Sequence, residues 1–465
     1  MQIRAAFAAT QQRRQQRAQT LVDASILAQR LSAWDTPLLK FVDKTLAPLL
    51  LDTESFVDET SKAVVGAPRA HSVPLPSVPH MIPYEDELHR APKPRGASGL
   101  VRVTIYLGLL GVMVRLIVQM AMVAGEGMMD RLYEALKAGP SGDYSTEHRI
   151  PLNFNYIPLV GKMLTGLVAN YFPATEMWHL DFRLLTFYLS ISEFVVFAIW
   201  LLESSRARSQ KLYSPKRWVL PYGIISHMSA IGIGAPLFFL LDTAVTGSPA
   251  SFWPTATQIS PHMARAILPT LILGMLVPTL FMFAPFLDSV VRQYVLVGWW
   301  FFPGALSILH GLFTSFFRRN SNKAPATDYR TARATSLAYI RCLFIFSFAI
   351  SALSHLLTLS VALTSREASL YSVFLFRRED MLSPFAENHN AFLVDYYVTL
   401  ASCLVWSVGC VRDLERNGLI AGVKWVGAFS TVVAGSALFG PAAVVSAVCW
   451  WREGVLARWP KTKGA

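Results

Sequence analysis

The sequence predicts an all-α polytopic membrane helix bundle of about eight transmembrane helices, preceded by an N-terminal amphipathic helical extension. Three observations carry this. Eight long apolar stretches fill the 465-residue chain from about residue 100 to its end. Only 15% of the residues are charged, against 53% hydrophobic, where a soluble domain carries roughly 25% charge. The stretches also reach the roughly 20 helical residues needed to cross a hydrocarbon core ~30 Å thick.

Residues 1–95 differ from the rest. Arg4, Arg13, Arg14 and Arg17 precede the first acid, Asp23, and Leu21, Val22, Ile26, Leu27, Leu31 and Trp34 then recur at roughly helical spacing. A second amphipathic stretch runs through Leu38, Leu39, Val42, Leu46 and Leu49, and residues 66–96 form a linker rich in Pro and His. Three readings fit: a cytosolic helix on the membrane surface, a mitochondrial presequence, or a partner-binding segment. A secretory signal does not fit, because no apolar core follows the basic start.

The transmembrane bundle is expected over 96–455, with a basic tail at 456–465. Its spans fall at 100–124, 182–202, 218–244, 264–286, 291–316, 334–363, 391–411 and 421–450. Between the first two, Asn153 to Phe172 is apolar but interrupted by Pro158, Gly161, Lys162 and Gly166. It reads as an interfacial or re-entrant helix, with a ninth span as the alternative. The loops at 204–217 and 317–333 are equally basic yet fall on opposite sides of an eight-span count, so a miscounted span is expected within 264–316.

Composition excludes several function classes. The net charge of +12 fits cations held on the cytosolic side; no nucleic-acid recognition motif accompanies it. Cys342, Cys403, Cys410 and Cys449 all lie inside apolar runs, without disulfide or metal-type spacing. There is no paired Asp-rich motif for diphosphate ionisation, no Walker A, GxGxxG or GxSxG, and no HxxxxD acyltransferase box.

Ionisable groups inside the spans are the candidate chemistry, since such groups are expensive at that depth. Thr186, Ser190, Glu193, Phe197 and Trp200 share one helical face. A carboxyl in apolar surroundings is disfavoured as an anion, so Glu193 is a candidate proton donor to an alkene or epoxide. An interhelical hydrogen bond or an ion pair with an arginine is the structural alternative. Glu203 and Arg206 stand at i, i+3 and allow a local ion pair. Asp395, followed by Tyr396 and Tyr397, opens the seventh span, and Asp242 closes the third. Either aspartate is a helix-end residue or a second carboxyl facing Glu193 across the bundle. Arg115, Arg265 and Arg341 fit snorkelling or anion binding. His227, His310 and His355 occupy separate spans without a spacing that argues a metal site. A histidine-dependent acyltransferase would draw on His310 or His355.

Several phrases resemble the fungal integral-membrane terpene cyclases of the ascochlorin and ascofuranone type and the uncharacterised fungal membrane proteins around them. They are LVANYFPATEMWHLDFRLLTFYLS, IWLLESSR, IGIGAPLFFLL, ARAILPTLILGMLVPTLFMF, VWSVGCVRDLERNGL and GPAAVVSAVCWWRE, in that order over roughly 155–455. The resemblance implies protonation of a terminal epoxide or alkene on a prenyl chain, then carbocation cyclisation without a metal or other cofactor. Glu203, Arg206, Arg265, Asp413 and Glu453 match its phrases, with Asp395; at Glu193 it implies no acid, so that residue is read from its place in the span.

The combined expectation is a cyclase of secondary metabolism in the endoplasmic reticulum membrane. Glu193, Glu203 or Asp395 would be the acid. Trp200, Phe197, Arg265, His227, Tyr339, Tyr396, Trp299 and Asp242 would line the substrate site, with no metal. The partners would be a lipophilic prenylated small molecule, membrane lipids and membrane-bound pathway enzymes, with no nucleic acid. A transporter or lipid-binding receptor without catalysis is the alternative.

Overall fold

The computed structural model describes residues 96–458 apart from 123–131, 133–135, 137–157, 210–216, 218, 322–328 and 377–383, with Lys93 and scattered positions between 11 and 44. Most of the basic extension and the Pro-rich linker lie outside the described residues, as does the tail from 459. A five-residue helix at Pro37–Phe41 buries nothing.

Among the described residues the chain is a helical bundle without strands: α1 (Gly96–Met122), α2 (Pro158–Thr175), α3 (Leu180–Ser204), α4 (Val219–Met228), α5 (Ile231–Val245), α6 (Pro261–Leu271), α7 (Val277–Met282), α8 (Ser289–Trp300), α9 (Phe302–Ser321), α10 (Tyr329–Thr364), α11 (Leu370–Phe374), α12 (Pro384–Arg416), α13 (Trp425–Phe439) and α14 (Pro441–Ala457). Five helical stretches are long and apolar enough to cross a membrane: 96–118, 180–204, 254–282, 331–364 and 384–416. A sixth crossing is made if α8 and α9 are one span, bent by 59°.

The two remaining apolar segments of the sequence are interrupted. Segment 218–244 divides into α4 and α5, and 421–450 into α13 and α14. The region where a miscounted span was expected, 264–316, holds both a π-helical stretch at Ile272–Leu276, between Pro269 and Pro278, and the bend before Pro303. Proline removes a backbone donor and clashes with the preceding turn, which accounts for breaks at these places. The segment Asn153 to Phe172 is represented by α2, which packs on α3 and α8.

Helix α3 is the axis of the bundle. Its apolar window is 94% buried, whereas that of α1 is 17% buried. A helix that is apolar all round must be covered all round, and α3 meets α2, α6, α10, α11, α12 and α14. With α1 on the outside, Arg115 faces outward.

The break between α13 and α14 is built on Gly440, at φ +87°. A Cβ there would lie 2.6 Å from the Tyr188 hydroxyl and 2.9 Å from His355 Cγ. Gly440→Ala therefore meets both an unfavourable backbone region and a steric conflict. The expected cost is about 2 kcal/mol or more, read as a lower thermal midpoint of the purified protein in detergent.

Candidate functional site

Ala230 is extended, at φ −172°, and α5 starts immediately after it. The first N–H groups of any helix lack partners within it. Here they are met from α12: Asp395 Oδ1 accepts the Gly232 N–H, and the carboxylate also accepts from Ile231. An anion at a helix N-terminus is favoured by the helix dipole. Gly232 permits the approach, because a Cβ there would stand 2.7 Å from Asp395 Oδ1 and 3.0 Å from Met113 Sδ.

Beside this junction lies a cavity of about 470 Å³. Its apolar wall comes from Met113, Leu116 and Ile117 of α1, Leu167 of α2 and Phe392 of α12, with Trp299 and Trp300 closing one side. Glu193, Asp395, Tyr171, Asn170, Asn388 and residues 226–231 supply its polar groups. Glu193 is 4% exposed and close enough to Asp395 for their charges to interact. Its carboxyl has no hydrogen-bond or ion-pair partner among the described residues.

The walls are held in register by side-chain hydrogen bonds. Trp299 Nε1 donates to Thr279 Oγ1 at 2.9 Å, and Trp300 Nε1 to the His227 carbonyl at 2.9 Å. The His227 ring lies against Trp299 and Phe302, with centroids 5.1 and 4.5 Å away. Asn388 Nδ2 donates to the Asn170 carbonyl at 2.9 Å and ties α12 to α2. Tyr171 packs on Trp299 at 5.1 Å and edge-on to Phe392 at 5.0 Å.

The structure thus brings together Glu193, Asp395, His227 and Trp299, and separates the other expected site residues. Glu203 is a correction as a proton donor. Its oxygens accept from Arg206 at 2.9 Å, Arg208 at 2.6 Å and Arg452 at 2.7 Å, which fits a charged structural anion. Glu453 completes this clasp by pairing with Arg206 and Arg452. Asp242 does not face Glu193; it accepts from Trp406 Nε1 at 2.8 Å. Phe197 and Trp200 share the Glu193 face of α3 but are fully packed against Phe302, Tyr222 and Phe238, so they support the cavity from behind.

Arg265 and Tyr339 also lie away from the cavity lining. The Arg265 guanidinium stacks 4.3 Å from the Phe317 ring and 5.8 Å from Tyr339. Tyr396 turns from the cavity although Asp395 precedes it, and packs 5.3 Å from Tyr188. The Tyr188 hydroxyl pairs with His355 Nδ1 at 2.8 Å, and His355 Nε2 with the Ala437 carbonyl at 3.2 Å. Neither His355 nor His310 lines the cavity. Among the described residues no three His, Cys, Asp or Glu side chains cluster as a metal site.

Sequence reasoning missed Tyr171, Asn170, Asn388 and Gly232. The first three carry no charge and lie in or beside mixed apolar runs, so only three-dimensional convergence marks them. The one available signal for Gly232 was its place in IGIGAP, a few residues after the polar pair Ser226 and His227.

Two substitutions separate the clasp from the cavity. Glu203→Ala leaves three guanidinium groups without their shared anion, at an expected cost of about 3–5 kcal/mol. Glu193→Gln is nearly isosteric and disrupts no described pair, so its thermal midpoint stays within a few degrees of the parent's. Thermal denaturation of both variants in detergent checks this contrast.

Comparison with known proteins adds one family match. No curated protein and no solved structure matches the chain. The family model described as the CtvD domain matches residues 103–457, which takes in the whole cavity and the clasp. CtvD is the name of a fungal biosynthetic-cluster protein, consistent with fungal secondary metabolism. With most of its length so matched, the chain belongs to the CtvD domain family.

Proposed function

We propose that this membrane protein is an acid-initiated cyclase of fungal secondary metabolism, acting on a prenyl or epoxyprenyl chain. The observation that carries the reading is that Glu193 and Asp395 stand together on the wall of a cavity that also presents aromatic and apolar side chains. The two carboxyls have unequal surroundings. Asp395 accepts backbone N–H donors at the start of α5, whereas Glu193, which lies beside it, has no described hydrogen-bond partner. Two carboxyls so placed accommodate one proton between them, and unequal environments assign the acid and the base.

Glu193 gives its proton to the terminal epoxide oxygen, and a C–O bond of the ring breaks. An alkene further along the chain attacks the electron-poor carbon and forms the new C–C bond. The final carbocation loses a proton to Asp395, restoring an alkene. One proton is gained and one lost, so the product is an isomer of the substrate, and return of the proton from Asp395 to Glu193 resets the pair. Trp299, Trp300 and Phe392 offer aromatic faces to the cation. Their apolar neighbours limit capture by water.

The substrate is a lipophilic prenylated small molecule that partitions from the bilayer. The proposed place is the endoplasmic reticulum membrane, beside membrane-bound enzymes that prenylate and epoxidise the substrate. The second reading is a transporter or lipid-binding receptor, favoured by the broken α4–α5 span, since discontinuous helices often form transporter sites. In this chain, though, the start of α5 is already occupied by Asp395.

The test is conversion of a farnesyl phenol bearing a terminal epoxide by microsomes containing the protein. The parent is expected to give a cyclic isomer. Glu193→Gln lowers turnover by about 100-fold or more, and Asp395→Asn, which keeps an acceptor for α5, lowers it by about tenfold or more. An unchanged probe, or amide variants as active as the parent, rejects the cyclase; binding without product supports the receptor or transporter.

A further inference from the structure

We infer that Tyr171 is a further catalytic residue of this cavity: its hydroxyl donates a hydrogen bond to the substrate oxygen that takes the proton from Glu193. The assignment rests on the acid-initiated reading above. Tyr171 lines the cavity with Glu193 and Asp395, and its hydroxyl has no hydrogen-bond partner among the described residues. It is also within electrostatic reach of both carboxyls.

The ring is held on two sides. Trp299 and Phe392 grip it at 5.1 and 5.0 Å from two different helices, α8 and α12. That restraint fixes where the phenol points before a ligand arrives. A donor already aimed at the place where negative charge develops lowers the barrier without reorganising in the reaction. During ring opening the Glu193 O–H bond breaks, the new O–H bond forms on the epoxide oxygen, and the C–O bond parts. Tyr171 keeps its proton throughout and shares it as a hydrogen bond with that oxygen. The role needs an oxygen on the reacting end of the chain; a bare alkene offers the phenol no lone pair.

Packing alone predicts a different outcome, so Tyr171→Phe, which keeps the ring, separates the two. The full chain in detergent micelles is titrated with a farnesyl phenol carrying a terminal epoxide and with the same phenol carrying a terminal alkene. Binding is read from quenching of tryptophan fluorescence, Trp299 and Trp300 being at the cavity wall. A Glu193→Gln background slows consumption of the probe during the titration.

The epoxide is expected to bind about five- to tenfold tighter than the alkene, the worth of one hydrogen bond. Adding Tyr171→Phe brings the ratio to within about twofold while leaving alkene affinity unchanged. Absence of a preference, its survival in Tyr171→Phe, or equal weakening of both probes overturns the assignment. In the Glu193-containing protein, Tyr171→Phe also lowers turnover of the epoxide by about tenfold or more; an unchanged rate overturns the catalytic role. If the parent makes no cyclic product yet the Tyr171-dependent preference holds, the cyclase reading fails and Tyr171 stands as an oxygen-binding group. If product forms and the preference ignores Tyr171, only the inference about Tyr171 fails.

Discussion

Backbone hydrogen bonding in a low-dielectric interior is the constraint from which the rest of this molecule follows. A helix that starts inside a membrane bundle exposes N–H groups with no water to satisfy them. The chain starts α5 there and supplies Asp395 from α12 as the acceptor. That solution demands a glycine at position 232, where the carboxylate comes too near for a Cβ. It also keeps α4 and α5 from continuing as one rod, and the turn between them becomes part of the cavity wall. The interruption, the Asp395 carboxyl and the hollow are aspects of one arrangement.

Buried acids have opposite surroundings at the cavity and at the end of α3. Around the cavity, acids have few partners: Asp395 holds backbone donors and Glu193 holds no described partner. At the end of α3, acids are saturated, with Glu203 and Glu453 enclosed by Arg206, Arg208 and Arg452. Desolvating charges is expensive unless each is paired and hydrogen-bonded, and the clasp meets that condition. The cavity leaves part of its polar capacity unused, as a site does when it is complementary to something that comes and goes.

The fold was legible because it is written in long-range composition. Apolar length and low charge marked the spans, and the two basic loops marked 264–316 as the region that does not form simple spans, which is where the structure has a π-helical stretch and a 59° bend. The candidate site was legible only in part. Glu193 and Asp395 stand out because an acid in an apolar run needs an explanation. Glu203 stands out for the same reason, yet its partner Arg452 lies 249 positions away, and Glu453 lies 247 positions from the Arg206 it shares with Glu203, beyond the reach of local spacing. Helical periodicity placed Phe197 and Trp200 on the face of Glu193, but it could not show that α4, α5 and α9 fill the space before them. Tyr171 and Asn388 gave no warning, since neutral polar residues in helices are common and only their convergence is informative.

The clasp at the end of α3 has a consequence for biosynthesis. Glu203 and Arg206 leave the ribosome long before Arg452 and Glu453, which sit on α14. Until α14 arrives, Arg206 lacks one of its two acids and Glu203 one of its three guanidinium groups. A nascent or C-terminally truncated chain therefore carries an incompletely neutralised cluster in its interior, the kind of defect that membrane quality control can recognise. Docking of α14 against α3 and neutralisation of the cluster are therefore one step, and it comes late because the two halves of the clasp lie so far apart along the chain.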